Sequence, residues 1–355
     1  MPTIANISES VRQSAREAGF DLAGIAPAAD SVELEHFPRW VEAGHAGEMK
    51  YLEARDEAGH LKRASLRHTA PWARSVVVCA MNYNTAQPYS TAFHDPVRGW
   101  ISRYAWGGED YHDSVLHRLR RVESALIGAA SGPLTTRCYV DTGPLVERVY
   151  AKYAGIGWIG KNTCIINQQK GSWLFLGVIL TSLELTADLP APDRCGSCTR
   201  CLEACPTQAF TAPHQLDASR CISYLTIEKR GAIPENLREG VGRHVFGCDI
   251  CQDVCPWNRK APATSATEFQ PRPELVNPAL DWLAELSVES FRAHFRHTPI
   301  RRAKRSGLRR NAVVAMGNSG EGKFLPLLGR LTRDEDPVVA ETARWALRKL
   351  TEPTS

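Results

Sequence analysis

No stretch of about twenty apolar residues, the length that a membrane-spanning helix needs, occurs in the 355 residues. The opening segment MPTIANISES is polar and carries no Arg pair, so no secretory or twin-arginine export signal is expected. Both absences point to a chain kept in the reducing cytoplasm, and they argue against reading its 11 cysteines as a disulfide framework. Hydrophobic residues make up 43% of the composition, enough for an ample core in two or three domains. Acidic side chains are missing from one region in particular. Residues 291–320 hold Arg292, Arg296, Arg301, Arg302, Lys304, Arg305, Arg309 and Arg310 with no Asp or Glu. The chain's net charge is +4 and this stretch alone contributes +8, so the remainder is mildly acidic. A basic segment on an acidic body suits a polyanion, because each phosphate neutralised releases counterions. The competing reading is a solvated charged face.

Eight of the cysteines fall in two blocks, Cys195-x2-Cys198-x2-Cys201-x3-Cys205-Pro206 and Cys221 with Cys248-x2-Cys251-x3-Cys255-Pro256. This spacing reads as a site for two [4Fe-4S] clusters, each needing four thiolates. In the bacterial ferredoxin pattern the fourth Cys of a run reaches the other cluster. That pattern assigns Cys195, Cys198, Cys201 and Cys255 to one cluster and Cys205, Cys221, Cys248 and Cys251 to the other. Tetrahedral zinc also uses paired C-x2-C spacings, but it leaves the two Cys-Pro endings unexplained. Cys79, Cys138 and Cys164 stand in apolar runs and read as buried packing cysteines.

The first 188 residues alternate helical and strand-like patterns, which predicts an α/β (α+β) domain around a central sheet. Asn6 with Glu9 resembles a capping box, SVVVCAMN (75–82) a buried strand, and residues 110–130 a long amphipathic helix with Val115, Leu119, Val122 and Leu126 inward. The Pro-rich TADLPAPD leads into a two-cluster ferredoxin-like domain over 189–262. Residues 263–355 then read as a basic linker and an all-α tail of three helical segments, HEAT-like in pattern, the last opened by Asp336-Pro337.

Asp141 ends the strand-like RCYVD, where ligand sites of open α/β sheets lie, so it is a catalytic candidate. It also stands where it could cap the helix expected from Leu145, and spacing alone leaves both readings open. The stretch Gly155 to Asn162 matches G-x-G-x-x-G in letters, but it follows a helix and precedes a strand, the reverse of the context for a dinucleotide loop. Its glycines read instead as room for backbone to approach a large flat or phosphate-bearing cofactor, with Lys161 and Asn162 as polar contacts. Trp106, Tyr111 and Trp257 are open to either base stacking or core packing.

GEMKYLEAR, ISRYAWGGEDYH, YVDTGPLVER, GIGWIGKNTC, VFGCDICQDVCPWN, both cysteine blocks and the helical tail, in this order, resemble the epoxyqueuosine reductase family over nearly the whole chain. The resemblance implies a cobalamin-binding first domain and reduction of the epoxide of epoxyqueuosine in tRNA to queuosine, with two [4Fe-4S] clusters passing electrons to cobalamin. It implies Asp141 as general acid and cofactor contacts at Arg63, Tyr104, Asp141, Lys161, Asn162 and Cys248. RNA contacts are expected at Arg301, Arg302, Lys304, Arg305 and Arg309. It further implies a tRNA partner; an unidentified low-potential electron donor, a cytoplasmic setting and, by default, a monomer are also expected. A reductive dehalogenase-like enzyme and a non-enzymatic iron-sulfur carrier are the alternatives.

Overall fold

The computed structural model describes residues 3–352. Its first part runs α1 (Ile4–Glu17), β1 (Leu22–Pro27), β2 (Ser75–Asn82), α2 (Tyr111–Ala129), β3 (Thr136–Tyr139), α3 (Glu147–Tyr153) and β4 (Leu174–Thr181). Helix α1 is capped by the Thr3 hydroxyl, which accepts the Asn6 amide at 3.3 Å, so the expected Asn6–Glu9 box does not form and the helix starts before it. The four strands form one sheet in the order β1-β2-β4-β3, every pair antiparallel, with Val78 opposite Gly24 on one side and Val178 on the other. The domain is therefore α+β. Ligand placement at strand ends, a property of parallel sheets, does not carry over to it.

Strand β2 is buried on both faces, and its alternation sorts side chains into two cores. Val77, Cys79 and Met81 pack beneath α1 and α2 with Val11, Ala15, Leu119 and Val122. Val76, Val78 and Ala80 pack beneath α3 with Val149 and Tyr150. Each fully buried Val or Leu contributes roughly 1.5–3 kcal/mol. Gly24 permits the close approach of α3, since a Cβ there would stand 1.9 Å from the Ala154 carbonyl oxygen.

The tail forms α4 (Lys304–Ser319), α5 (Leu325–Leu331) and α6 (Pro337–Thr351). Asp336 caps α6 by accepting the Val338 amide at 3.0 Å, with Pro337 at the position where a missing N–H costs nothing. A third core joins Val313, Leu328 and Trp345 of these helices to Leu225, Val245, Phe246, Ile101 and Trp106. It therefore runs without a break across residue 262, where the sequence pattern suggests a boundary. Asn311 of α4 donates to the Thr226 and Val245 carbonyls, each at 2.8 Å. Among the described residues, no helix is long and apolar enough to cross a membrane.

Candidate active site and iron-sulfur centres

All eleven cysteines are unpaired thiols. Cys195, Cys198, Cys201 and Cys255 line a single small cavity with Trp257. Burial, together with the sulfurs of Cys255, Cys195 and Cys198, pushes the Cys201 thiol up to about 11. Cys205, Cys221, Cys248 and Cys251 gather in a second group, where burial and the sulfurs of Cys221 and Cys205 push the Cys248 thiol up. Four thiolates this close repel one another unless a polycationic core lies between them, so both quartets fit [4Fe-4S] clusters. The short loops that follow Cys195 and Cys248 turn into one-turn helices (Arg200–Glu203 and Ile250–Asp253), which aim successive cysteines inward. Of the three cysteines read as packing residues, only Cys79 is fully buried. Cys138 and Cys164 are half-buried, and Cys164 lies beside Cys251.

Asp141 does not cap a helix. It adopts φ +55°, and α3 begins only at Glu147 with Val146 before it. The left-handed turn swings its carboxylate out to 47% exposure, where Oδ2 accepts the Tyr111 hydroxyl and lies 3.9 Å from His112 Nε2. His112 Nδ1 contacts Asp110 Oδ1 at 2.7 Å. Although burial alone would raise it, the Asp110 carboxyl is held below its ordinary range by His112 and, more weakly, by Arg301. Asp110 is then an acceptor, so Nδ1 carries the proton and Nε2 faces Asp141. Tyr111 stacks on Phe175 at 4.2 Å and meets the Tyr104 ring edge-on at 5.9 Å. Tyr111 is thus a core residue and not a stacking platform, and fully buried Trp106 is the same. Trp257 lines the first cysteine cavity.

Sequence reading missed two groups here, His112 and Glu147. Glu147 Oε1 is buried without a hydrogen-bond partner, and burial reinforced by the Asp141 charge pushes the carboxyl up to about 8. Because the folded form holds this proton after the unfolded chain has lost it, stability falls as pH rises from about 4.5 toward 8. The loss is at most about 1.4 kcal/mol per pH unit. Glu147→Gln is expected to flatten that slope, giving a higher melting temperature than the parent at pH 8 and no gain at pH 5. Parallel melting curves across the window would exclude the buried acid.

Arg63 spans the site's edge, donating to the Tyr51 carbonyl at 2.9 Å and to the Gly143 carbonyl at 2.8 Å, and so pins the turn after Asp141. The Tyr104 ring packs on Phe246 at 5.9 Å, and Gly247 backs onto it: a Cβ there would come within 3.5 Å of the ring and 2.5 Å of Ser102 Cβ. Cys248 follows directly, and Asp249 accepts the Ser102 hydroxyl and the Arg103 amide, which ties the second cysteine loop to the segment carrying Tyr104. A continuous wall thus links Asp141 through Tyr111 and Tyr104 to Cys248. Lys161 and Asn162 lie elsewhere than expected. Lys161 Nζ donates to the carbonyls of Gly196 and Cys198 at 2.7 and 3.1 Å, and Asn162 Nδ2 to the Cys251 carbonyl at 3.3 Å, so both brace the cysteine loops. Nor do the glycines before them face a cofactor. Cβ atoms at Gly157 and Gly160 would strike Ile166, within 2.4 Å, because these glycines let the Trp158–Ile159 and Ile165–Ile166 strands close on each other.

The basic segment is neutralised in part by the fold. Arg309 is buried, donating to Ala284 O and to both oxygens of Asp334, and Arg310 is buried against the carbonyls of Leu225, Lys229 and Gly231. Arg309 is therefore removed from the expected RNA contacts. Arg302 pairs with Glu228 at 2.7 Å, and Arg305 donates to the Leu286 carbonyl at 2.7 Å. Arg301 and Lys304 are exposed.

Two cysteine quartets, joined through an aromatic wall to a projecting carboxylate, define an iron-sulfur oxidoreductase. A family model for a 4Fe-4S double cluster binding domain matches residues 194–258, and one for Epoxyqueuosine reductase QueG, DUF1730, matches residues 63–142. The chain is 40% identical to the epoxyqueuosine reductase of Pseudomonas aeruginosa, covering 98% of this chain and 96% of that one. Against the Escherichia coli enzyme the identity is 36%, covering 96% and 89%. Among solved structures, an epoxyqueuosine reductase bound to a tRNA-Tyr epoxyqueuosine-modified stem loop superposes with a TM-score of 0.86 at 33% identity, covering 99% of this chain and 92% of that one. A Bacillus subtilis epoxyqueuosine reductase, its catalytic aspartate loop swung out of the active site, has the same score at 32% identity and the same coverage. The chain belongs to the epoxyqueuosine reductase family. That membership sets aside the zinc, dehalogenase and electron-carrier readings.

Proposed function

We propose that this protein reduces the epoxide of epoxyqueuosine in tRNA to the cyclopentene of queuosine, with Asp141 as the proton donor. The observation that carries the reading is the half-exposed Asp141 carboxylate, held by Tyr111 and approached by His112, at one end of a wall whose other end is Cys248. Converting an epoxide to an alkene and water consumes two electrons and two protons. When bound, the clusters and cobalamin supply the electrons.

The residues present fit cobalamin between acid and cluster. Asp141 and Tyr104 offer a polar and an aromatic surface, Glu147 a buried oxygen without a protein partner, and the Cys248 loop lies behind Tyr104. We assign cofactor contacts to Arg63, Tyr104, Asp141 and the Cys248 loop, and cluster ligation to the two quartets of cysteines. Asp141 gives its proton to the epoxide oxygen as the C–O bond breaks. His112, oriented through Nδ1 by Asp110, faces Asp141 with Nε2, where it can take a proton from water and pass it to Asp141 for the second transfer. A proton donor of this kind accounts for about 10²- to 10⁴-fold of the rate.

The anticodon-loop base must leave its stack to reach this site, and Arg301, Arg302, Lys304 and Arg305 flank it as phosphate contacts. We further read the chain as a monomer with a cobalamin domain to about residue 188, a cluster domain to 262 and one HEAT-like helical unit. It would act in the cytoplasm beside its tRNA and take electrons from a low-potential donor.

The test is anaerobic turnover of cluster-reconstituted protein with epoxyqueuosine-bearing tRNA and a low-potential reductant, with and without cobalamin, read by nucleoside mass spectrometry. Queuosine is expected only with cobalamin. Intact clusters and bound cobalamin without product would sink the substrate assignment.

A further inference from the structure

Outside the redox site, three metal-ligating side chains converge on the segment that carries Arg63. The ligand atoms of Asp56, His60 and His68 all lie within 4.8 Å of one another. His60 Nδ1 stands 3.4 Å and His68 Nδ1 3.5 Å from the same atom, Asp56 Oδ2. The two imidazoles stack with centroids 4.7 Å apart and planes inclined by 19°, so both rings direct the same nitrogen toward one carboxylate oxygen.

Two explanations compete for this arrangement, and the distances separate them. As hydrogen bonds the contacts are long, since N–H···O bonds cluster at about 2.7–3.2 Å and those made to a carboxylate are shorter still. As the two carboxylate edges of a coordination tetrahedron they match. Metal bonds of about 2.0–2.1 Å to imidazole nitrogen and about 2.0–2.2 Å to carboxylate oxygen, at tetrahedral angles, separate neighbouring ligands by about 3.3–3.5 Å.

The carboxylate is also divided as a ligand requires. Its other oxygen, Oδ1, is taken by the backbone amides of Ala58 at 3.0 Å and His60 at 2.8 Å, which fixes the carboxyl plane and leaves Oδ2 to the imidazoles. A hydrogen-bonded second oxygen is how ligating carboxylates are usually oriented. The Asp56 amide donates to the His60 carbonyl at 2.9 Å, so the turn that sets this geometry needs no ion to form. His60 is 59% exposed and His68 26%, which leaves a water-accessible fourth position.

We propose that Asp56, His60 and His68 form a binding site for a divalent metal ion of the zinc type, with water as the fourth ligand. Two imidazoles and a carboxylate suit zinc and its borderline neighbours and disfavour magnesium, which takes oxygen ligands. The site is separate from both cysteine quartets. It joins the two ends of the segment bearing Arg63, the residue that holds the Gly143 carbonyl behind Asp141. A bound ion would therefore brace the catalytic turn from outside.

The test is calorimetric titration of zinc chloride into tag-free, chelator-treated protein with both clusters filled, their visible absorption recorded throughout. The expected result is one zinc ion per chain, with magnesium chloride giving no heat. His60→Ala/His68→Ala and, separately, Asp56→Asn should weaken that binding by at least about 100-fold, since loss of outer-shell partners alone costs 10- to 100-fold. The cluster absorption should stay unchanged. No zinc uptake by the parent chain, or uptake equally tight in the variants, overturns the proposal.

Discussion

Replacing Asp141 by Asn is expected to reduce turnover by about 10²- to 10⁴-fold while leaving both clusters and cobalamin in place. The asymmetry follows from the position of the side chain. Its carboxylate is half-exposed and held by Tyr111 and His112, so losing its charge leaves the cores packed and only relieves the buried Glu147 carboxyl of a like neighbour. Asn can still accept the Tyr111 hydroxyl bond through its carbonyl, and Asn is tolerated at φ +55° almost as well as Asp. The turn should therefore keep its shape and the variant lose only the transferable proton. Single-turnover assays with cluster-loaded protein, alongside cobalamin binding followed spectrally, separate the two. Full activity in the variant would remove the acid role. Lost activity together with lost cobalamin would leave Asp141 its cofactor contact and remove the evidence for its acid role.

Arg309→Ala should act in the opposite way, costing about 3–5 kcal/mol of stability. Arg309 Nη1 and Nη2 reach the two Asp334 oxygens at 3.1 and 2.5 Å, and Nε reaches the Ala284 carbonyl at 2.7 Å. Both side chains are largely withdrawn from water, at 5% and 11% exposure. Burial would lift the Asp334 carboxyl, yet the Arg309 hydrogen bonds hold it below the ordinary range. Deleting the guanidinium leaves a carboxylate and a carbonyl without their donor, which is the costly case. Neutralising exposed Arg301 and Lys304 should leave the unfolding midpoint alone and flatten the dependence of tRNA affinity on salt, the logarithmic slope falling by about one for each phosphate left without its cation. Urea denaturation and salt titrations on both variants distinguish the two roles. An unchanged midpoint with a flattened slope in Arg309→Ala would return that residue to the RNA surface.

The contrast shows what a linear charge run conceals. Residues 291–320 contain no acid, but Asp334, Glu228 and Asp110 arrive from elsewhere in the chain to meet Arg309, Arg302 and Arg301. Only the fold decides which cations remain free. The cysteine quartets were legible because ligand geometry is set by short loops, whose spacing is written locally. Strand positions were legible too, as β2 shows, but strand direction was not, since an apolar run reports burial and not the orientation of its neighbour. Asp141 could be picked out as a strand-ending residue, with cap and catalyst undecided until its positive φ and the late start of α3 excluded the cap. His112 and Glu147 gave no signal, because one reads as a helix's first turn and the other as an ordinary helical acid. The glycines of GIGWIGKN misled for a related reason: close backbone approach leaves the same mark whether the neighbour is a cofactor or another strand.

The core shared by the tail and the Cys248 loop gives the C-terminal helices a double allegiance. Asn311 grips the carbonyls of Thr226 and Val245 from within α4, so the helices nearest the proposed RNA contacts also form the floor under an electron station. Such a tail is not a detachable handle. A chain cut before α4 would lose part of its proposed footing on tRNA and the seat of its second cluster in the same stroke, and grafting a foreign RNA-binding module onto the stump would restore only the first.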